Sequence, residues 1–157
     1  MSYYFLAGMS LLVGLVVLVI ALGLYIWNSI MVYYLLKKFD YPNPWFAWIP
    51  LVNQYAIAEV CATTDGKSVI QIFNTSIEVN LFRFYPALIL LIGFVPGIGS
   101  IAAILLTIVC YGSNITTIYS ILENKSEDEV KAIGYISGFI GLIFTVMLTK
   151  YRKENII

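Results

Sequence analysis

Long apolar runs alternate with short polar stretches along this chain, and the first run is the longest. Residues 4–36 are almost wholly apolar, with Asn28 the main exception, and Lys37 and Lys38 end the run. Tyrosine, tryptophan and phenylalanine gather near both of its ends, as they do at the two interfaces of a bilayer. Because a membrane-spanning helix needs about 20 apolar residues, this run predicts a first span.

Three further apolar runs occupy the second half of the chain. Pro96 to Gly99 forms a tight, uncharged break between the first two runs, and the hydrophilic stretch 123–131 separates the second from the third. This order predicts a membrane hairpin followed by a last span. The three predicted spans are 81–96, 99–122 and 132–149.

A proline-rich aromatic segment, residues 44–63, lies between the first span and the rest. A glutamate at the centre of a bilayer costs about 2.5–3.5 kcal/mol, whereas at headgroup level Glu59 would reach water. We therefore predict an interfacial helix, kinked at Pro50, with a fifth span as the alternative. Five residues of the segment follow a three–four spacing that predicts one stripe of a helix: Trp45, Trp48, Val52, Tyr55 and Glu59.

The orientation of the chain depends on that segment. With an interfacial helix, the lysines and arginines divide six to three between the two faces; with a fifth span they divide five to four. Because positive residues concentrate in the cytoplasm, the first model is favoured. It places the loops after the first and third spans inside. It places both termini, including the basic tail Lys150–Lys153, outside.

Residues 64–80 form the most polar insertion. Asp65-Gly66 predicts a turn. Apolar and polar residues alternate from Ile77 to Phe82, which indicates extended structure, and a short surface helix is the alternative.

Composition fixes the class of protein. The chain has 157 residues, of which 61% are hydrophobic and 11% charged, with a mean hydropathy of +0.89. Soluble domains carry about 25% charged residues, so we expect a single all-α integral membrane domain. A net charge of zero argues against nucleic-acid binding. The sequence has no histidine, and Cys61 and Cys110 lie in apolar surroundings, which predicts inert thiols rather than a metal pair.

One motif brings a resemblance to a known family. The chain contains Tyr41-Pro42 followed by Trp45 or Trp48, and then Ile-Pro-Leu-Val-Asn-Gln-Tyr over residues 49–55. Over residues 10–122 it resembles a family of small prokaryotic multi-span membrane proteins of unknown function, with the pattern Gly-Tyr-Pro, tryptophan and Ile-Pro-x-x-Asn-x-Tyr. Asp40 stands where that pattern has glycine, and residues 64–82 look like an insertion. The resemblance implies a multi-pass protein of the cytoplasmic (inner) membrane.

Some members of that family carry a signal-peptidase label. A serine–lysine protease needs its serine beside a buried lysine of lowered pKa. Every lysine here lies in a loop or at the end of a span, so the label does not fit this sequence. The family offers no established activity to carry over.

The remaining candidate positions have structural as well as functional interpretations. Glu59 is the only acid inside an apolar segment; it is either an ion site or a water-exposed headgroup-level residue. Gly134, Gly138 and Gly141 form a small-residue face that favours close helix packing. The candidate interface or lipid-facing motif consists of Tyr41, Pro42, Trp45, Trp48, Pro50, Asn53, Tyr55 and Glu59.

No catalytic or phosphate-binding motif is present in the sequence. We therefore expect a non-enzymatic accessory subunit or assembly factor of a larger membrane complex, without a cofactor. Its expected partners are membrane lipid and other membrane subunits or a second copy of itself. An oligomeric channel or transporter component is the main alternative, because broken helices such as that at Pro96–Gly99 build transport sites. A membrane enzyme of unrecognised type is a third.

Overall fold

The computed structural model describes residues 3–64, 69–72, 75–78 and 84–157, and helices make up most of these ranges. Apolar runs favour helices because a helix satisfies its own backbone hydrogen bonds. The α-helices are α1 (Tyr3–Lys38), α2 (Val52–Thr64), α3 (Tyr85–Gly93), α4 (Gly99–Glu123), α5 (Glu127–Phe139) and α6 (Gly141–Lys153). A 3-10 helix, η1, spans Pro44–Trp48, and two strands, β1 and β2, span Val69–Ile72 and Thr75–Glu78.

Two helices within the described ranges are long and apolar enough to cross a membrane. They are the part of α1 from Gly8 to Lys38 and the whole of α4. Their bounds lie within a turn of the predicted spans 4–36 and 99–122. The predominantly helical class is confirmed. Of the four predicted spans, two correspond to helices of the described ranges that are long and apolar enough to cross a membrane.

The strands form a short antiparallel hairpin inside the predicted polar insertion. Val69 pairs with Glu78 at its open end, and Ile72 pairs with Thr75 at the turn. The extended structure expected around Ile77 is therefore present in β2, which ends at Glu78. Thr64, the first residue of the insertion, ends α2, whereas residues 65–68, 73–74 and 79–80 of the insertion and residues 81–83 of the predicted second span lie outside the described ranges.

The proline-rich segment is two helices rather than one kinked helix. Ile49 is extended, with φ −106° and ψ 118°, and Leu51 has a positive φ of 68°. Proline has no amide hydrogen to continue a helix, so the chain turns through residues 49–51 and α2 begins afresh at Val52. The predicted stripe is thereby divided, with Trp45 and Trp48 on η1 and the other three residues on α2.

The predicted last span, 132–149, also differs from the structure. The chain breaks at Ile140, where φ is −113° and ψ is 85°, and α5 and α6 lie on either side of the break. Glycines at positions 138 and 141 flank it, and interior glycine lowers helix stability by about 1 kcal/mol relative to alanine. Each of the two helices has 13 residues. Each is therefore about 20 Å long, short of the roughly 30 Å apolar core of a bilayer.

The two short hairpins pack in the same way against the two long helices. In the first hairpin, η1 packs on α1 and α2 packs on α4; in the second, α5 packs on α4 and α6 packs on α1. The first arm of each runs back along the long helix before it: Tyr25 of α1 donates a hydrogen bond to the carbonyl of Trp48, and Gly138 of α5 lies against Gly112 of α4. Each long helix is thus followed by a helical hairpin. The hairpin begins at the C-terminal end of the long helix, and its second arm brings the chain back to that end.

The basic tail lies beside the basic end of α1, where Lys37 and Lys38 are. The guanidinium carbon of Arg152 is 3.8 Å from the ring centre of Tyr34. The favoured four-span model predicts that this tail lies on the opposite face from Lys37. That prediction is wrong, because the chain folds back at Ile140 and α6 brings the tail beside the end of α1. Every lysine and arginine of the described ranges lies at or within about two turns of this end, which we call the basic end.

The main core fills the half of the molecule nearest the basic end. Its fully buried side chains come from the last turns of α1, from α2, α4 and α6, and include Leu35, Ile57, Tyr119 and Phe144. The part of α1 from Gly8 to Leu24, by contrast, is exposed all round.

Candidate functional site

The described part of the chain contains a cleft at the basic end. Its volume is about 390 Å³, and α1, the connection to η1, η1 itself and α2 all contribute to it. Four of the predicted site residues meet there: Tyr41, Pro42, Tyr55 and Glu59. The remaining lining residues, which the sequence analysis did not single out as site residues, are Phe39, Asp40, Asn43, Phe46, Val60 and Thr63.

The turn at the end of α1 places Asp40 and Tyr41 on the cleft. Asp40 has a positive φ of 51°, and the amide of Tyr41 donates to the carbonyl of Leu36 at 3.0 Å, a helix-ending arrangement. Glycine is the residue most easily accommodated at a positive φ. In this chain the position carries a carboxylate instead.

A hydrogen bond joins the two walls of the cleft. The hydroxyl of Tyr41 donates to a carboxylate oxygen of Glu59 at 2.7 Å. Glu59 and Tyr55 are one helical turn apart on α2, so both side chains face the same wall. This pairing fixes Glu59 beside an aromatic ring at the edge of the core.

A second cavity, an apolar groove of about 370 Å³, adjoins the cleft. Phe46 and Tyr55 line both cavities. Phe84, at the start of α3, contacts Tyr55 with 5.7 Å between ring centres and forms part of the groove. The rest of the lining is Leu51, Val52, Pro86, Ala87 and Leu90.

The other predicted site residues lie on η1, in the turn between η1 and α2, or in the first turn of α2. Trp45 and Trp48 are 53% and 44% exposed, and Pro50 is exposed in the turn between η1 and α2. The amide of Asn53 donates to the carbonyl of Ile49 at 3.0 Å, which closes that turn. The Ile-Pro-x-x-Asn-x-Tyr motif therefore builds the hairpin tip, with its tyrosine reaching both cavities.

The three predicted packing glycines have different surroundings. A Cβ on Gly134 would lie 2.8 Å from the Cα of Thr116, and one on Gly138 would lie 2.7 Å from the Cα of Gly112. These two glycines let α5 approach α4 closely. A Cβ on Gly141 would meet no atom within 4 Å.

Two polar contacts connect the second half of α1 to α6. Thr145 donates to the side-chain oxygen of Asn28 at 2.9 Å, and the indole of Trp27 donates to Thr149 at 3.1 Å. The sequence marked Asn28 as a polar residue within a span but could not show its partner. Both cysteines are buried, and the thiol of Cys61 donates a hydrogen bond to the carbonyl of Asn114 at 3.4 Å.

A small polar cluster closes the basic end around Glu123. Its carboxylate accepts hydrogen bonds from Tyr151 and from Lys125, the latter at 2.7 Å. Burial, together with the hydrogen bond to Glu123, raises the pKa of Tyr151 above its ordinary value, so this hydroxyl stays protonated. The cluster ties the end of α4 to the end of α6.

Comparison with protein-family models, with curated proteins and with solved structures finds no match for this chain. Within the described ranges, no group of three or more His, Cys, Asp or Glu residues is arranged to hold a metal ion.

Proposed function

We propose that this is a multi-pass protein of a prokaryotic cytoplasmic membrane, related to the small-membrane-protein family that its Ile-Pro-x-x-Asn-x-Tyr motif resembles. In this proposal α1, a segment that contains α3, and α4 cross the bilayer. The two short hairpins enter it from one face and return. The lengths of α1 and α4 and the shortness of α5 and α6 support this arrangement.

The distribution of positive charge supports an orientation for this model. All lysines and arginines of the described ranges lie near the basic end, and positively charged residues concentrate on the cytoplasmic side. The basic end, with the cleft and the C-terminal tail, therefore belongs in the cytoplasm. The exposed Trp45 and Trp48 of η1 then contact lipid or a partner.

Its function in this proposal is that of an accessory subunit, one that binds a helix of another membrane protein. The observation that carries the proposal is the stretch of α1 from Gly8 to Leu24, which the rest of the described chain leaves uncovered. Ser10, Gly14 and Ala21 recur on one face of this stretch, and their small side chains let a second helix approach closely. The same face continues towards the basic end through Asn28, which contacts α6.

Purification from the native membrane in mild detergent tests the accessory role. A Gly14→Phe substitution on the small face should abolish co-purification of the partner, while Val19→Phe on the opposite face serves as the matched control. Both positions are exposed, so neither change should affect folding. A chain that runs as a lone monomer, or partners that survive Gly14→Phe, would contradict the proposal.

A transporter or channel component is the second candidate, favoured by the helix break at Ile140. Discontinuous helices at membrane depth provide backbone groups that can bind ions or substrates. Reconstituted protein should then conduct or transport a solute. Flux that is unchanged by Glu59→Gln would remove Glu59 as its ion site.

A further inference from the structure

The cleft and the apolar groove together have the form of a site for an amphiphilic molecule. They adjoin, because Phe46 and Tyr55 line both of them. Each has a volume within the range of about 300–1,000 Å³ that is typical of ligand pockets. Their linings differ in polarity from one end to the other.

The polar end suits a cationic head group. Asp40 and Glu59 place two carboxylates on the cleft. Tyr41 and Phe46 add aromatic rings, 6.2 Å apart between centres, whose faces attract a cation. A protonated amine would thus meet both carboxylate oxygens and aromatic faces.

The apolar end suits a hydrocarbon chain. The groove opens between α2 and α3, where Leu51, Phe84 and Leu90 are 38%, 53% and 47% exposed. In the proposed orientation the cleft lies at headgroup level and the groove extends from it along α2. That direction matches a lipid whose head group is at the cytoplasmic surface.

We propose that the joined cavities bind a membrane lipid whose head group carries a protonated amine. The amine lies in the cleft against Glu59 and Asp40, and one acyl chain lies in the groove against Phe84 and Leu90. Tyr41 acts as a positioning residue, because its hydrogen bond holds the Glu59 carboxylate in place. This inference goes beyond the accessory role and rests on the proposed placement and orientation of the chain in a membrane.

Native mass spectrometry of the full-length protein in mild detergent tests the site. The protein is titrated with dioleoyl phosphatidylethanolamine, which has an amine, or with dioleoyl phosphatidylglycerol, which has the same chains and no amine. The protein should retain more phosphatidylethanolamine than phosphatidylglycerol at the same lipid concentration. The combined change Asp40→Asn and Glu59→Gln should reduce its retention about fivefold, to the level of phosphatidylglycerol. Gln can still accept the Tyr41 hydrogen bond, so the fold is preserved.

Two further variants separate the head-group and chain contacts. Ala87→Trp fills the groove and should lower the retention of both lipids. The pair Asp128→Asn and Glu154→Gln removes two exposed carboxylates elsewhere and should change neither. Equal retention of the two lipids by the unmodified protein would overturn the proposal. Undiminished phosphatidylethanolamine retention in the cleft variant, with an unchanged thermal midpoint, would also overturn it.

Discussion

At the scale of single residues, two positive φ angles shape the proline-rich segment. Asp40 ends α1 with a φ of 51°, and Leu51 turns the chain into α2 with a φ of 68°. A left-handed backbone costs a non-glycine residue roughly 1–2 kcal/mol, and aspartate tolerates it better than most. These residues direct η1 back along α1, which brings Tyr41 and Glu59 together.

Two substitutions that both remove the carboxylate of Asp40 measure the free-energy cost of a positive φ at this position. Asp40→Gly should be more stable than Asp40→Ala by about 1 kcal/mol, because only glycine adopts this φ without a steric penalty. Thermal or denaturant unfolding in detergent, followed by circular dichroism, gives the difference. Equal stability of the two variants would show that the turn relaxes when the side chain is removed.

At the scale of elements, the glycines of the α5–α6 hairpin have two different structural roles. Gly134 and Gly138 lie where α5 meets the backbone of α4, while Gly141 has open space around it. Gly141 follows the break at Ile140, so its contribution is to weaken the helix there rather than to pack.

Alanine substitutions should separate these two uses of glycine. Gly134→Ala forces α5 away from Thr116 and should cost about 1–3 kcal/mol. Gly141→Ala, the matched control, introduces no contact and should stay within about 0.5 kcal/mol of the unmodified protein. Unfolding midpoints in the same detergent compare the two. A larger loss for Gly141→Ala would mean that α6 packs differently.

The sequence predicted the long helices better than the short ones for a physical reason. A continuous apolar run such as that of α1 has one stable solution, a helix, and Lys37 and Lys38 mark where it ends. The last run is also mostly apolar, but Gly138 and Gly141 weaken it, and the polar contact of Thr145 with Asn28 favours the folded-back form. Such a contact between distant parts of the chain leaves no local pattern.

The cleft was predictable only in part for the same reason. Tyr41, Pro42, Tyr55 and Glu59 were identified from aromatic and acidic residues in an apolar context. Their arrangement follows from the turn at residues 49–51, which breaks the regular spacing on which the single-stripe prediction rested. Phe46 gave no signal in the sequence beyond its apolar character.

At the scale of the whole molecule, the positive charge at one end predicts how the chain is oriented in the membrane, and this can be tested directly. Green fluorescent protein fused after Ile157 should fluoresce, and alkaline phosphatase fused at the same place should be inactive, because the tail is expected in the cytoplasm. The converse results are expected for an N-terminal fusion, since α1 begins at the opposite end. Phosphatase activity at the C-terminus would exclude the model with two returning hairpins.

The contacts of α6 with α1 have a consequence for how the protein is made. Thr145 and Asn28 are separated by 117 positions, and Thr149 and Trp27 by 122, so α1 can make these contacts only after α6 has been synthesised. Contacts this distant form late, because the intervening loop has to be ordered first. Until α6 has been synthesised, Asn28 lacks this partner, so a chain truncated before α6 leaves the Asn28 amide without its hydrogen bond to Thr145.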